Sequence, residues 1–225
     1  MPVLFPSFIS DETGKRACAL LLELAAIPSI TGSDGGEEAC ARFIRDRLAR
    51  LEYFKKNEGD LKFIAAEPPS ASHGNASLGR HAIAALLRAA RPVKETIVLL
   101  GHFDVVDVEG CGPLRPCAFD PLEYTRRTGE LNLSEDARKD LESGRWLFGR
   151  GVADMKAGLA LVICLLEDYA SRRMKQDFAK QDCERQDFNV LLLAVPDEEG
   201  DSVGMRGVIS HLAELKEKEG LDFLV

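Results

Sequence analysis

Three short acidic stretches carry the residues best suited to chemistry. They are Gly101-His102-Phe103-Asp104-Val105-Val106-Asp107, the segment Gly149-Arg150-Gly151-Val152-Ala153-Asp154-Met155-Lys156-Ala157-Gly158, and Asp197-Glu198-Glu199-Gly200. His102 and Asp104 are two apart, so in an extended chain they point to one side. An imidazole beside a carboxylate is a metal-ligand pattern. Two carboxylates plus an imidazole suit a hard-to-borderline divalent cation. A bridging carboxylate lets two such ions sit about 3.5–4 Å apart. Adjacent Glu198 and Glu199 side chains diverge in extended backbone, so one can ligate while the other faces a reacting water.

Taken singly, each stretch has a plainer reading. His-x-Asp at a strand end is often structural. A lone Asp154 before a helix is more often an N-cap. Asp197-Glu198-Glu199 reads equally as a solvated acidic turn. Gly149-x-Gly151 resembles a fragment of a phosphate loop, but the pattern is incomplete and follows no clear strand. His73, His81 and His211 have no carboxylate pattern at a strand end and read as loop, sheet and helix-surface residues.

The elements that must position these stretches alternate between strand and helix. Apolar runs at Thr96–Leu100 and Phe188–Val195 read as buried parallel strands, each ending in one of the polar clusters. Ligands of open α/β sheets collect at such carboxyl ends. If the two strands are neighbours, His102, Asp154, Glu198 and Glu199 converge on one edge. Residues 12–27 carry Ala17, Leu20, Leu21 and Leu24 at helical spacing. Residues 37–51 do the same with Ala41, Ile44, Leu48 and Leu51, and Glu37 and Glu38 favour that helix's first turn. Leu61–Ala65 reads as a strand and Pro68–Gly79 as a loop.

Arg80–Ala90 is ambiguous. Its alanines argue for helix, while its position suits a strand in a hairpin with Thr96–Leu100. Val108–Trp146 reads as a long connection broken by Pro113, Pro116 and Pro121, with one helix over 134–143 capped by Ser134. Leu159–Ala170 reads as a buried apolar helix, Arg172–Gln186 as a charged solvated segment, Val203–Lys218 as a helix with Val208, Leu212 and Leu215 on one face, and Leu221–Val225 as a strand. The expected class is α/β with a largely parallel sheet.

The 225 residues suffice for a substantial core. A net charge of −8 and a sequence pI of about 5.2 argue against nucleic acid or an anionic membrane as the main partner. No run approaches the ~18–20 apolar residues that span a bilayer, and Met1–Pro6 lacks the features of a secretory signal. The six cysteines (Cys18, Cys40, Cys111, Cys117, Cys164 and Cys183) form no Cys-x-x-Cys and read as free cytosolic thiols, with Cys111 and Cys117 the one plausible local pair. A cytoplasmic location follows as the expectation.

The three stretches, in this order, resemble the metallopeptidase family of aminoacylases, acetylornithine deacetylase, succinyl-diaminopimelate desuccinylase and glutamate carboxypeptidases. Its pattern is His-x-Asp after a strand, then Gly-Arg-Gly-x-x-Asp-Met-Lys, then Asp-Glu-Glu after another strand. The wording from Pro196 to Gly207 is most similar to the arginine-utilisation branch. The resemblance implies a three-layer α/β/α zinc-exopeptidase-like domain with a mixed sheet, in which Arg80–Ala90 is a strand. It implies two divalent metal ions, zinc by default with cobalt or manganese as alternatives. His102 would ligate one ion, Asp154 would bridge both with a cis peptide following it, and Glu199 would ligate the other. Asp104 would orient the imidazole, and Glu198 would be the general base for water attacking an amide.

The implied substrate is a small peptide or N-acyl amino acid. The family's two further ligands, an acidic residue after the next strand and a late histidine, and its lid or dimerisation domain have no counterpart here. Residues 1–225 thus read as the N-terminal part of a catalytic domain, with a homodimer expected only of the full-length form. Three ligand positions instead of five imply weak metal binding. A reading from another class is an inactive α/β fragment acting as a binding or regulatory module. A nucleotide-binding domain is disfavoured, because no complete Gly-rich loop directly follows a strand.

Overall fold

The computed structural model describes residues 12–33, 35–66, 80–174 and 188–225. Helices α1 (Glu12–Ala25), α2 (Gly36–Leu48) and α3 (Glu52–Lys56) precede strands β1 (Leu61–Ala65), β2 (His81–Leu87) and β3 (Glu95–His102). Helices α4 (Pro121–Arg127), α5 (Glu135–Ser143) and α6 (Ala157–Met174) follow, then β4 (Asn189–Val195), α7 (Val203–Glu219) and β5 (Asp222–Leu224). The expected loop at 68–79, His73, Cys183, the N-terminal six residues and most of the charged segment 172–186 lie outside the described residues.

The strand order is β1-β2-β4-β3-β5. The β4–β3 and β3–β5 pairs are parallel, and the two pairs made by β2 are antiparallel. Four strands therefore run one way and β2 runs against them, which makes the sheet mixed. Side chains alternate across it. Val190, Leu192 and Ala194 of β4 join Leu20, Leu24, Ile44, Leu48, Leu159 and Ile163 from α1, α2 and α6 in one core. Leu191, Leu193 and Val195 face the other way and pack with Val98, Val208, Leu215 and Leu221 against α7. The result is three layers, α/β/α. Every residue of β4 is buried, as a central strand requires.

Three expectations need correction. β2 is a strand despite its alanines, but it is no hairpin partner of β3, because β4 lies between them. Six of its seven residues are buried. Such a strand satisfies its backbone only with a neighbour on each edge, and β1 and β4 supply them. Pro121 does not break the long connection. It opens α4 at a position where a missing N–H costs nothing, behind Asp120, whose Oδ1 accepts from Glu123 N. Helix α6 is buried on one face only, since Leu161 and Leu165 are exposed.

The helix over 135–143 forms as expected. Ser134 Oγ accepts from Ala137 N at 3.3 Å, and Gly144 ends the helix in the left-handed region. Cys111 and Cys117 are buried free thiols. Among the described residues, no helix is long and apolar enough to cross a membrane.

Candidate metal centre

β3 and β4 are parallel neighbours in a register that sets His102 opposite Val195. Their carboxyl ends therefore share one edge, and the polar segments that follow meet there. His102 Nε2 lies 3.0 Å from Asp154 Oδ1 and 3.7 Å from Glu198 Oε2. One donor atom from each of His102, Asp154 and Glu199 lies within 4.8 Å of the other two. His102 is buried, whereas Asp154 and Glu198 are largely open to solvent. Beside them is a cleft of about 360 Å³ with apolar walls from Leu100, Met155, Val195, Pro196 and Met205.

Asp104, fully buried, is the hub of the centre. Its Oδ1 accepts from Glu198 N at 3.1 Å, and its Oδ2 accepts from Glu199 N at 3.1 Å and from Thr31 Oγ1 at 2.8 Å. His102 Nδ1 is 3.4 Å from Oδ1 and 3.1 Å from the Asp104 carbonyl oxygen. With Nδ1 donating there, Nε2 is left to face Asp154 and Glu198. Burial alone would raise the Asp104 pKa, but these donors hold it below the ordinary aspartate value. Burial alone would likewise lower His102, and the Asp104 and Asp154 carboxylates outweigh it, holding the imidazole at about 9.

Asp154 does not act as a helix N-cap. It sits in a wide turn over Val152–Lys156 ahead of α6, with extended dihedrals and a cis peptide to Met155. Gly151 permits this turn: its φ is +72°, and a Cβ there would lie 2.6 Å from Val105 Cγ1. Gly101 lets Met155 close over β3, since a Cβ would lie 2.9 Å from its Cε. The Asp197–Gly200 segment, by contrast, forms a turn and is not extended. Asp197 has φ 64°, and the turn that follows brings Glu198 Oε2 to 3.7 Å from His102 Nε2 and a Glu199 oxygen within 4.8 Å of the His102 and Asp154 donor atoms.

Several supporting contacts carried no signal in the sequence, although Lys156 itself stands in the Gly149–Gly158 stretch. Lys156 is fully buried, and its ammonium donates to Leu24 O at 3.0 Å and Ile27 O at 2.8 Å, capping the end of α1. Burial lowers its pKa. The loop after α1 then runs along residues 103–105: Ser29 Oγ donates to Phe103 O, and Thr31 N donates to Val105 O. His81 is a sheet residue, as expected, and its Nδ1 is 2.8 Å from Glu38 Oε2. His211 lies on α7 and is partly buried, its side chain 9% exposed.

Glu37, read as a favourable first-turn acid, is buried at 2% exposure. Burial pushes its carboxyl up to about 7, against the pull of Arg80 and of a hydrogen bond from Gly32 N. A raised pKa means the folded state holds a proton that the unfolded state releases at lower pH. The stability linked to that proton is complete below the ordinary value of 4.5 and is lost as pH rises to about 7. At about 1.4 kcal/mol per unit the change is about 3 kcal/mol. Chemical denaturation across that window should show Glu37→Gln gaining on the wild type by about this amount. A constant difference would mean that Glu37 does not titrate there.

The donor set fits a divalent cation. It offers one imidazole nitrogen and two carboxylates, with a third carboxylate at hand in Glu198. Burial and the neighbouring Asp154 carboxylate push the Glu199 pKa up, against the opposing pull of His102.

A model of peptidase family M20/M25/M40 matches residues 98–225. Among curated proteins, the uncharacterised YqjN of Bacillus subtilis is 37% identical over 212 residues, covering 93% of this chain and 34% of that protein. RocB of the same organism is 30% identical over 210 residues with the same coverage. A succinyl-diaminopimelate desuccinylase of Verminephrobacter eiseniae is 30% identical over 204 residues, covering 88% of this chain and 40% of the enzyme. The chain thus spans about a third of the length of the first two of these relatives. Human carnosine dipeptidase 1 superposes with a TM-score of 0.55 at 18% identity, covering 93% of this chain and 37% of that one. The dipeptidase Dug1p of Saccharomyces cerevisiae gives 0.55 at 20% identity, covering 93% and 39%. These likenesses show a shared fold.

Proposed function

The chain belongs to peptidase family M20/M25/M40, and from that premise we propose that it carries the metal-binding and proton-transfer part of an amide hydrolase. The convergence of His102, Asp154 and Glu199 within 4.8 Å carries this reading. His102 through Nε2, Asp154 and Glu199 would hold the divalent metal, two ions being the expected complement, with zinc as the first candidate and cobalt or manganese as alternatives. Two ions at this edge would supply Lewis acidity and lower the pKa of a shared water.

The chain's own groups do the rest. Asp104 holds the imidazole with Nε2 forward and pins the backbone of Glu198 and Glu199. The exposed Glu198 carboxylate takes a proton from water as its oxygen attacks the amide carbon, then returns it to the departing amine. Substrates of the class peptide or N-acyl amino acid fit a centre open to solvent beside an apolar cleft. The relatedness to enzymes named for removing a succinyl group from diaminopimelate supports the same class.

Proteins of the relatives' length are proposed to draw further ligands from outside these 225 residues, as residues 1–225 would be the N-terminal part of the catalytic domain. A cytoplasmic location is proposed on the same footing. The test is hydrolysis of a panel of N-acyl amino acids and dipeptides by a polypeptide of the relatives' length. Activity should vanish on chelation and return with zinc, cobalt or manganese. Activity that survives exhaustive chelation would refute the metal-dependent reading, while cation uptake without turnover would favour a binding module.

A further inference from the structure

The turn bearing Glu198 and Glu199 is closed on Asp197, and Asp197 is held from outside every motif. Its Oδ2 accepts from Asp201 N and Val203 N, both at 3.1 Å, which caps α7 and closes the turn. Its backbone oxygen accepts from Ser202 N at 2.7 Å. The remaining carboxylate oxygen, Oδ1, takes Arg80 Nη1 at 2.5 Å. Arg80 stands just ahead of β2, and its Nε also lies 3.5 Å from Glu37 Oε2. Glu37 in turn accepts from Gly32 N at 3.2 Å, next to Thr31, which binds Asp104. Both supports of the acidic turn, Asp197 from below and the Thr31–Asp104 contact from the side, therefore run back to one guanidinium.

We propose that Arg80 is a positioning residue for the metal centre: by spanning Asp197 and Glu37 it fixes the turn that presents Glu198 and Glu199. This rests on the functional reading above. Its structural half, the control of the turn by Arg80, stands without any metal. Asp104, Asp197 and Glu37 are all buried near one another. An uncompensated carboxylate among them would move toward solvent, taking the turn with it. Lysine cannot replace the guanidinium here, because a point charge reaches one carboxylate where the planar fork reaches two.

The 225-residue chain carries a matched control. Arg88 also joins two acids, Asp60 at 2.9 Å and Glu219 at 2.6 Å, at the far end of β2. Arg80→Lys and Arg88→Lys should therefore both fold, and both should lose some thermal stability. The readout is native-state hydrogen exchange at the Glu198 and Glu199 amides in metal-free protein, followed by zinc titration. In Arg80→Lys and in Asp197→Asn those amides should exchange about tenfold faster or more, while in Arg88→Lys they keep the wild-type rate. Zinc affinity should fall about tenfold in the first two variants only. Equal exchange in Arg80→Lys and Arg88→Lys would overturn the proposal. If the wild type takes up no zinc, the metal reading fails, and the amide exchange still decides the role of Arg80.

Discussion

Glu198→Gln, in a polypeptide of the relatives' length, should keep its metal and lose most of its turnover. A positioned general base contributes about 10²–10⁴-fold, so kcat should fall by that factor while KM stays within a few fold. The structure explains why the two properties separate. Glu198 is held by its backbone N–H on Asp104, a bond that glutamine retains, and its side chain is more than half exposed. It is not one of the three groups whose donor atoms cluster within 4.8 Å. The amide is nearly isosteric and cannot accept the water's proton. Metal analysis alongside steady-state kinetics checks this. A variant that loses metal and activity together would make Glu198 a ligand, and one that keeps both would remove it from the chemistry.

His102→Ala should abolish tight cation binding. The imidazole is the one nitrogen donor in the cluster, and it is buried and oriented by Asp104 through Nδ1. Loss of an outer orienting partner costs about 10–100-fold in metal affinity, so loss of the ligand should cost about 100-fold or more. Asp104→Asn should then fall between the wild type and His102→Ala, because the orienting group is weakened and the nitrogen remains. Competition against a chromophoric chelator gives all three affinities. Equal affinities in wild type and His102→Ala would mean that the cation sits elsewhere.

The acidic strand ends were legible because their signal is local. The apolar runs of β3 and β4 stop where the polar residues start, and a parallel register then brings His102 beside Val195 and the turn that follows. The placement of β2 was not legible, because alanine-rich composition speaks for helix while burial on both faces decides for strand. Nor were the supports. Thr31 meets Asp104 across 73 residues, Arg80 meets Asp197 across 117, and Lys156 reaches Leu24 across 132. Nothing in the spacing of such pairs marks them before the chain is folded. Glu37 misled for the same reason. A first-turn glutamate is a favourable surface acid until Pro28–Gly32 and Arg80 close over it, and then it is a buried carboxyl with a pKa near 7.

His102, Asp154 and Glu199 are proposed to form a cation site in this chain. Zinc-edge X-ray absorption of the zinc-loaded 225-residue protein tests it most directly, because the competing donors, the cysteines, differ from the proposed ones in distance and scattering. The expected first shell is nitrogen and oxygen at about 2.0–2.2 Å with one imidazole and no sulfur. That imidazole signature should disappear in His102→Ala. A shell containing sulfur at about 2.3 Å, or a spectrum unchanged in His102→Ala, would contradict the claim.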